Sequence, residues 1–174
     1  VLRRIVSKSG VPVGSSLMGI GSLPGSDPLD LGMLGMHGTY QANMAVSHCD
    51  LLFAVGTRFD DRATGDLTKF APEAEIVHID IDPISISRNV PVAIPIVGDA
   101  RTVLEQLEPL VEPPAIVPWL ERIRAWREEH PPLARSAGPG LSPVEVIEAI
   151  CELFPEAIVS TEVGQNQMWT ALFY

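Results

Sequence analysis

The first hundred residues contain three short, unbroken apolar runs, at 51–55, 76–81 and 93–97. Runs of this length are typical of strands buried on both faces of a parallel sheet. A further short strand is predicted at 12–18, before a long loop at 19–28. Helical spacing or a capping signal marks the segments 1–9, 37–48, 99–109 and 119–126. This alternation predicts an α/β fold with a doubly wound, mainly parallel, Rossmann-like sheet and helices on both faces.

Proline and glycine are concentrated in residues 130–141, which predicts a linker. Beyond it, Ser142 and Glu145 have the spacing of a capping box, with Pro143 at the first helical position. Residues 157–160 have the pattern of a strand. We therefore expect one domain at 1–129, a linker at 130–141 and the incomplete beginning of a second domain at 142–174.

Length and composition narrow the classes of function. The 174 residues suit one ordinary domain with a modest excess. Twelve basic against 22 acidic residues give a net charge of −10, which disfavours a nucleic-acid partner. The two cysteines lie far apart and suggest neither a disulfide framework nor a zinc site, so a reducing, cytoplasmic location is expected. No apolar run reaches the roughly 18–20 residues that cross a bilayer, so no membrane partner is expected.

Candidate binding chemistry lies where predicted strands end. Ligands of doubly wound sheets bind outside the carboxyl ends of the strands, which selects residues 56–62, 80–83 and 98–100. A further candidate is the segment 35–38, Gly-Met-His-Gly, directly before a predicted helix. Amides at a helix N-terminus attract a diphosphate, and glycines let it approach closely. The alternative is that these glycines only shape a tight turn.

Two clusters of charged residues each allow two interpretations. The loop segment Arg58–Arg62 contains two carboxylates and two guanidiniums, which form either a ligand site or a self-neutralising surface network. Asp80 and Asp82 are placed to accept hydrogen bonds from ribose hydroxyls. Asp82 is alternatively a helix cap before Pro83.

Other chemistries lack their motifs. The four histidines show no metal-ligand spacing, so no metal site is predicted, and His78 is interpreted as a buried, hydrogen-bonded core residue. Gly19 and Gly21 begin a dinucleotide fingerprint, but Pro24 stands where its third glycine belongs. The absence of a nucleophile elbow and of a Walker loop disfavours hydrolases and nucleotide triphosphatases.

Four motifs occur in one order, and a fifth follows near the end of the sequence. They are Leu-Met-Gly-Ile-Gly at 17–21, Met-Leu-Gly-Met-His-Gly-Thr at 33–39, Gly-Thr-Arg-Phe-Asp-Asp-Arg at 56–62, His-Ile-Asp-Ile-Asp-Pro at 78–83 and Ser-Thr-Glu-Val-Gly-Gln-Asn-Gln-Met-Trp at 160–169. Together they closely resemble the catalytic large subunit of acetolactate synthase, a thiamine-diphosphate enzyme of branched-chain amino-acid synthesis. The similarity spans essentially the whole chain.

The resemblance implies a three-domain enzyme of which this chain is a part. Residues 1–129 would be the central, FAD-binding domain with a truncated first helix, and 142–174 the start of the domain that binds thiamine diphosphate through Mg²⁺. The whole enzyme decarboxylates pyruvate and joins the two-carbon unit to a second 2-keto acid. The thiamine-activating glutamate and the magnesium motif lie in parts of the family absent from this sequence. We therefore expect no catalytic residue here and no activity from the chain alone.

The resemblance also assigns site residues. The implied FAD-binding residues are Leu17, Met18, Leu34, Gly35, Met36, His37, Gly56, Arg58, Asp60, Arg62, Asp80, Ile81, Asp82, Gly98, Asp99 and Ala100. The resemblance further implies that Met36, Asp61 and Arg62 face the substrate. The guanidinium of Arg62 suits the carboxylate of the second 2-keto acid. Gly164, Gln165 and Asn166 would lie near thiamine diphosphate. Many relatives carry His where Asn166 stands, and a neutral amide donates a hydrogen bond but cannot become cationic.

The implied partners are 2-keto acids and further copies of the chain in a homodimer or tetramer, with a regulatory small subunit as another candidate. Two alternatives stay open. Pyruvate oxidase and glyoxylate carboligase share the architecture, although the motifs at 35–38 and 58–62 favour acetolactate synthase. A nucleotide-binding or assembly module without catalysis is the other, since fold alone does not settle function.

Overall fold

The computed structural model describes residues 1–131 and 140–174. The chain divides into two compact units, Val1–Glu129 and His130–Tyr174. Residues 132–139, most of the predicted linker, lie outside the described residues. Among the helices of the described ranges, none combines the length and apolarity needed to cross a membrane.

The first unit alternates helices and strands, as the apolar pattern predicts. Its elements are α1 (Leu2–Ser9), β1 (Val13–Ser15), β2 (Asp30–Met33), α2 (Tyr40–His48), β3 (Leu51–Val55), α3 (Asp61–Thr64), β4 (Glu75–Asp80), β5 (Ile94–Val97), α4 (Ala100–Leu107) and α5 (Val117–Glu129). Short 3₁₀ helices occupy Leu17–Gly19 and Glu108–Leu110.

All described strands pair in parallel. β1 pairs with β2, and β4 lies between β3 and β5 in a three-stranded sheet. In that sheet His78 stands in register with Ala54 on one side and Pro95 on the other. The predicted α/β class, with parallel strands and helices on both sides, is confirmed. The parallel order brings the carboxyl ends of β3, β4 and β5 to one edge.

Two apolar clusters form the core of this unit. The first joins β2, α2 and α5 through Leu31, Ala42, Ala45, Ile123 and Trp126. The second packs against the three-stranded sheet and consists of Ala54, Phe59, Ile76 and Val90. Because Phe59 belongs to the segment after β3, the second cluster anchors that segment to the sheet.

The structure corrects three details of the sequence prediction. β2 was not predicted, and the strand expected at 12–18 is limited to Val13–Ser15. The expectation that every apolar run is buried on both faces holds for the central strand β4. It is wrong for β3 and β5, where Phe53 and Ile94 are 38% and 52% exposed. β3 and β5 are the edge strands of their sheet, and each therefore lacks a neighbour on one side.

The second unit contains α6 (Pro143–Leu153) and α7 (Gln165–Phe173). The predicted capping box is confirmed, because Ser142 Oγ accepts from Glu145 N and Glu145 Oε2 accepts from Ser142 N. The strand predicted at 157–160 is wrong, and Ile158 is fully exposed. A strand needs a partner strand to satisfy its backbone, and the described part of this unit has none.

Candidate functional site

The Gly-Met-His-Gly segment forms a tight turn before α2. Gly35 has φ +97°, and its N–H and C=O bond to the side-chain amide of Asn43 at 2.7 and 3.0 Å. Helix α2 begins at Tyr40, later than predicted, and Thr39 Oγ1 caps it by accepting from Ala42 N. The amide of Ala42, one of those that the anion-binding interpretation would use, is thus already bonded to a side-chain oxygen. The glycines of this segment shape a tight turn, as the alternative interpretation predicts.

This turn is attached to the first residues of α3. Met36 N donates to the carbonyl of Arg62 at 2.9 Å. A Cβ at position 35 would overlap that same carbonyl and the Cα of Ala63, so only glycine allows the approach. The Arg62 guanidinium in turn donates from Nη1 to Met36 Sδ at 3.7 Å. Two residues predicted to face the substrate are therefore neighbours, and both are exposed.

The segment that follows β3 is held by one buried aromatic ring. Phe59 has φ +51° and packs edge-on against His78 with a centroid separation of 5.0 Å. Asn89 Nδ2 donates to the carbonyls of Arg58 and Phe59. With Phe59 turned into the core, the Arg58 side chain stays 78% exposed. The segment is thus fixed by its backbone and by Phe59, while the exposed guanidinium of Arg58 can contact a ligand.

The charged cluster is divided between a cap and a short helix. Asp60 Oδ1 caps α3 by accepting from Ala63 N, and Asp61 and Arg62 form the first turn of that helix rather than a loop. The Arg58–Asp60 ion pair is long, at 3.8 Å, and exposed, so it contributes little to stability. The self-neutralising network therefore accounts for only part of the cluster.

Three aspartates stand at the ends of β4 and β5, but only one is buried. Asp82 accepts from Ile84 N and Ser85 Oγ, but residues 83–87 form turns, so Asp82 holds a local turn and its interpretation as a helix cap is wrong. Asp99 caps α4, and its hydrogen bonds from Thr102 lower the pKa of the Asp99 carboxyl. Asp80 is buried, and its Oδ1 accepts from Asp82 N at 2.8 Å. Its other oxygen, Oδ2, lies 3.8 Å from His78 Nε2.

The three strand-end segments enclose a cavity of about 390 Å³. It is lined by Gly56, Arg58, Ile79, Asp80, Ile81, Asp82, Ser85, Asp99 and Ala100. Gly98 does not line the cavity, but its N–H donates to the carbonyl of Asp80. The volume falls within the range of small-molecule sites. The strand-end rule thus brings together residues that are up to 44 positions apart in the sequence, from Gly56 to Ala100.

A second cavity of about 300 Å³ lies between the 34–36 turn, α2 and the residues after α3. Leu34, Gly35 and Met36 line it on one side. Its other lining residues are Asn43, Val46, Ser47, Ala63, Thr64, Gly65, Asp66, Lys69 and Phe70.

Several predicted site residues line neither cavity. Leu17 and Met18 lie in the first 3₁₀ helix, where Met18 is 92% exposed. His37 and Asp60 are exposed beside the turn and at the start of α3. Gly164, Gln165 and Asn166 belong to the other unit, where all three are exposed at the beginning of α7.

Two residues have a structural part in the site that the sequence does not predict. Asn43 holds the turn at Gly35, and nothing in the sequence distinguishes it from the other polar residues of α2, such as Gln41 and Ser47. His78 is buried as predicted, but neither ring nitrogen has a hydrogen-bond partner among residues 1–131 and 140–174, so its interpretation as a hydrogen-bonded residue is wrong. Within the same ranges, no group of three or more His, Cys, Asp or Glu could hold a metal ion.

Comparison with known proteins identifies the family. Residues 1–107 match the family described as "Thiamine pyrophosphate enzyme, central domain". The chain belongs to this family. The thiamine pyrophosphate enzymes similar to it include the acetolactate synthase large subunit of Parasynechococcus marenigrum (strain WH8102), 46% identical over 175 residues that cover 98% of this chain and 28% of that protein.

Further relatives give the same result. The acetolactate synthase isozyme 3 large subunit of Escherichia coli (strain K12) is 46% identical over 181 residues, which cover 99% of this chain and 32% of that protein. The large subunit of Porphyra purpurea is 42% identical over 179 residues, covering 99% and 30%. The motifs predict a similarity to acetolactate synthase large subunits, and this prediction is confirmed. This thiamine pyrophosphate enzyme chain spans less than a third of the length of these relatives.

Proposed function

We propose that residues 1–129 bind FAD within an acetolactate synthase large subunit. The whole protein would decarboxylate pyruvate and join the two-carbon unit to a second 2-keto acid. The observation that carries the FAD assignment is the cavity at the carboxyl ends of β3, β4 and β5. This is the place where doubly wound sheets bind nucleotides.

The residues around this cavity suit a dinucleotide. Gly56 has φ +63° and open space where a side chain would stand, so a phosphate can approach its backbone. Arg58 supplies a guanidinium for the diphosphate, and Asp80 supplies an acceptor for ribose hydroxyls. Ile81, which is exposed, offers an apolar contact to a ring. Bound FAD would serve as a structural group, with no net redox step in the reaction.

The substrate side of the proposal rests on the contact between Met36 and Arg62. An exposed guanidinium pairs with the carboxylate of the second 2-keto acid in a bidentate manner, and the thioether of Met36 gives that acid an adaptable apolar neighbour. Asp61 lies beside them in the first turn of α3. These residues bind and orient the acceptor, and the chain supplies no catalytic group.

Thiamine diphosphate would supply the carbanion chemistry of the reaction. Gly164, Gln165 and Asn166 would contact it, with Asn166 donating a hydrogen bond from its neutral amide. We assign no Mg²⁺ ligand to this chain, and we expect the chain alone to be inactive. A cytoplasmic location, assembly into a homodimer or tetramer and binding of a regulatory small subunit complete the proposal.

FAD binding is tested on the 174-residue chain itself. Because a ligand that binds only the folded state raises its stability, FAD should raise the melting temperature. Gly56→Ala places a methyl group in the cavity and should weaken that shift. Gly10→Ala is the matched control, since Gly10 also has a left-handed φ, +71°, and open space, but lies outside both cavities.

Two outcomes would refute this FAD site. One is a folded wild-type chain whose melting temperature does not respond to millimolar FAD. The other is an equal loss of the FAD shift in both alanine variants. The reaction is tested separately on the full-length protein, which should convert pyruvate to acetolactate and CO₂ without consuming oxygen. Pyruvate-dependent oxygen uptake would indicate a pyruvate oxidase instead.

A further inference from the structure

His78 is a buried polar side chain that the proposed function leaves unexplained. It is 0% exposed, and both its ring nitrogens lack a hydrogen-bond partner among the described residues. An unpaired buried polar group costs stability, and apolar residues fill buried strand positions without that cost. A histidine at this position therefore has a use that core packing does not supply.

The surroundings of His78 contain one polar group on its own strand. Side chains at alternate positions of β4 share a face, so His78 lies between Ile76 and Asp80. Ala54 and Pro95 are its partners in the neighbouring strands, and Phe59 contacts its ring edge-on. His78 Nε2 lies 3.8 Å from Asp80 Oδ2, which is beyond hydrogen-bond distance.

Asp80 connects this histidine to the proposed FAD site. Its carboxylate lines the cavity at the strand ends, and Asp82 N already holds Oδ1. Oδ2 is the oxygen nearest to His78. A hydrogen bond from the His78 ring to Oδ2 would hold the second oxygen of Asp80 as well. The carboxylate could then direct its remaining lone pairs toward a ligand in the cavity.

We propose that His78 is a positioning residue for Asp80: its Nε2–H donates to Asp80 Oδ2 when a ligand occupies the cavity, and it thereby orients the carboxylate toward the hydroxyl groups of a ribose. The proton stays on Nε2, so Nδ1 carries none in the neutral ring. The approach requires a movement of about 1 Å, since charge-assisted hydrogen bonds span about 2.7–2.9 Å. This inference rests on the proposed FAD binding.

Two substitutions separate positioning from packing. His78→Phe fills the space of the ring but has no donor, and it should weaken FAD binding about tenfold, since a hydrogen bond to a charged group is lost. It should preserve or raise the melting temperature, because it removes unpaired buried nitrogens. His78→Gln retains an N–H donor and should keep the FAD affinity within about threefold of wild type.

A double-mutant cycle tests whether the effect passes through Asp80. In an Asp80→Asn background, the same His78→Phe change should alter FAD affinity much less than it does in the wild type. Titration calorimetry with FAD on the folded 174-residue variants gives the affinities, and circular dichroism gives the melting temperatures. Equal weakening by Phe and Gln, or additive effects in the cycle, would overturn the positioning role.

A spectroscopic measurement tests the required tautomer of His78 independently of FAD. Two-dimensional ¹H–¹⁵N spectra of the histidine rings in the ligand-free chain report which nitrogen of His78 carries the proton. The Nε2–H form is expected. If the spectra show the Nδ1–H form, the inference fails even if FAD binds. If the wild type shows the Nε2–H form but does not bind FAD, the proposed cofactor fails, while the tautomer that the His78–Asp80 relationship requires is confirmed.

Discussion

The guanidinium of Arg62 reaches the sulfur of Met36 across 3.7 Å, although 26 positions separate the two residues. The contact depends on the backbone, since Met36 N donates to the carbonyl of Arg62 and Gly35 leaves room for that approach. Any motion of the turn before α2 therefore moves the cation as well.

Arg62→Ala in the full-length enzyme should raise the KM for the acceptor 2-keto acid more than it slows the first decarboxylation. The guanidinium is proposed to contact the acceptor carboxylate, so the first pyruvate does not require it. Single-turnover CO₂ release and acceptor saturation curves measure the two steps. Arg62→Lys should recover only part of the affinity, because an ammonium cannot pair in the same bidentate manner.

Arg124→Ala is the matched control, because Arg124 is an exposed arginine on α5 and its removal changes the net charge equally. It should leave both steps unchanged. An equal loss in both steps for Arg62→Ala would contradict the assigned role.

Gly35→Ala should destabilise the first unit by roughly 2–4 kcal/mol, the sum of left-handed strain and steric overlap. The new methyl group would meet the carbonyl of Arg62, so the turn would separate from α3. Urea unfolding measures the loss. Gly25→Ala serves as control, because Gly25 has open space and no positive φ, and should change the free energy of unfolding by less than about 0.5 kcal/mol. Similar values for the two variants would show that the overlap is relieved at little cost.

The Arg4–Glu108 pair should make stability depend on acid pH. Bidentate hydrogen bonds of 2.7 and 2.8 Å from Arg4 hold the pKa of Glu108 below its ordinary value of 4.5. A carboxyl with a lowered folded-state pKa contributes stability that is complete above its unfolded pKa and is lost as pH falls through the folded pKa. Glu108→Gln should therefore lower the melting temperature slightly at pH 7.

This difference between Glu108→Gln and wild type should narrow below pH 4.5 and close once Glu108 is protonated in the folded state. Melting curves from pH 7 to pH 2 measure it. Glu112→Gln, at an exposed position after the second 3₁₀ helix, is the control and should show no such convergence. A difference that widens toward acid pH would contradict the sign of the shift.

Cys49 should react slowly with alkylating reagents. Burial raises the pKa of its thiol to about 11, and the thiolate is the reactive form. In a Cys151→Ser variant, in which Cys49 is the remaining cysteine of two, the rate with iodoacetamide should rise about tenfold per pH unit between pH 8 and pH 10. The same variant in urea should react at the rate of an ordinary cysteine. Equal rates in the folded and unfolded states at pH 8 would exclude the raised pKa.

Local sequence signals accounted for the parts of the fold that depend on local physics. The run at 76–81 predicted the central strand because apolar residues on both faces have one stable place in a covered parallel sheet. Asp99 and Ser142 predicted helix starts because a cap is decided by neighbouring residues. Once the strands are parallel, their carboxyl ends meet, so Gly56 and Asp80 could be placed at one edge before the structure was known.

Features that depend on distant partners left no trace in the sequence. β2 contains Asp30 and Gly32, which are poor strand residues, and it forms because β1 pairs with it. Residues 157–160 show the reverse case, because they have strand propensity but form no strand for want of a partner strand in the described ranges. The attachment of Gly35 to Arg62 and the unpaired nitrogens of His78 likewise follow from tertiary packing.

The turn around Gly35 fixes the main chain at position 36 without using the Met36 side chain. Asn43 and the carbonyl of Arg62 bond to backbone atoms, and Met36 is 60% exposed. Residue 36 can therefore be varied in a library while its main-chain position stays constant. Each substituent would then set how much room remains beside Arg62, so, under the proposed function, a single codon could serve to redesign which acceptor acid binds there.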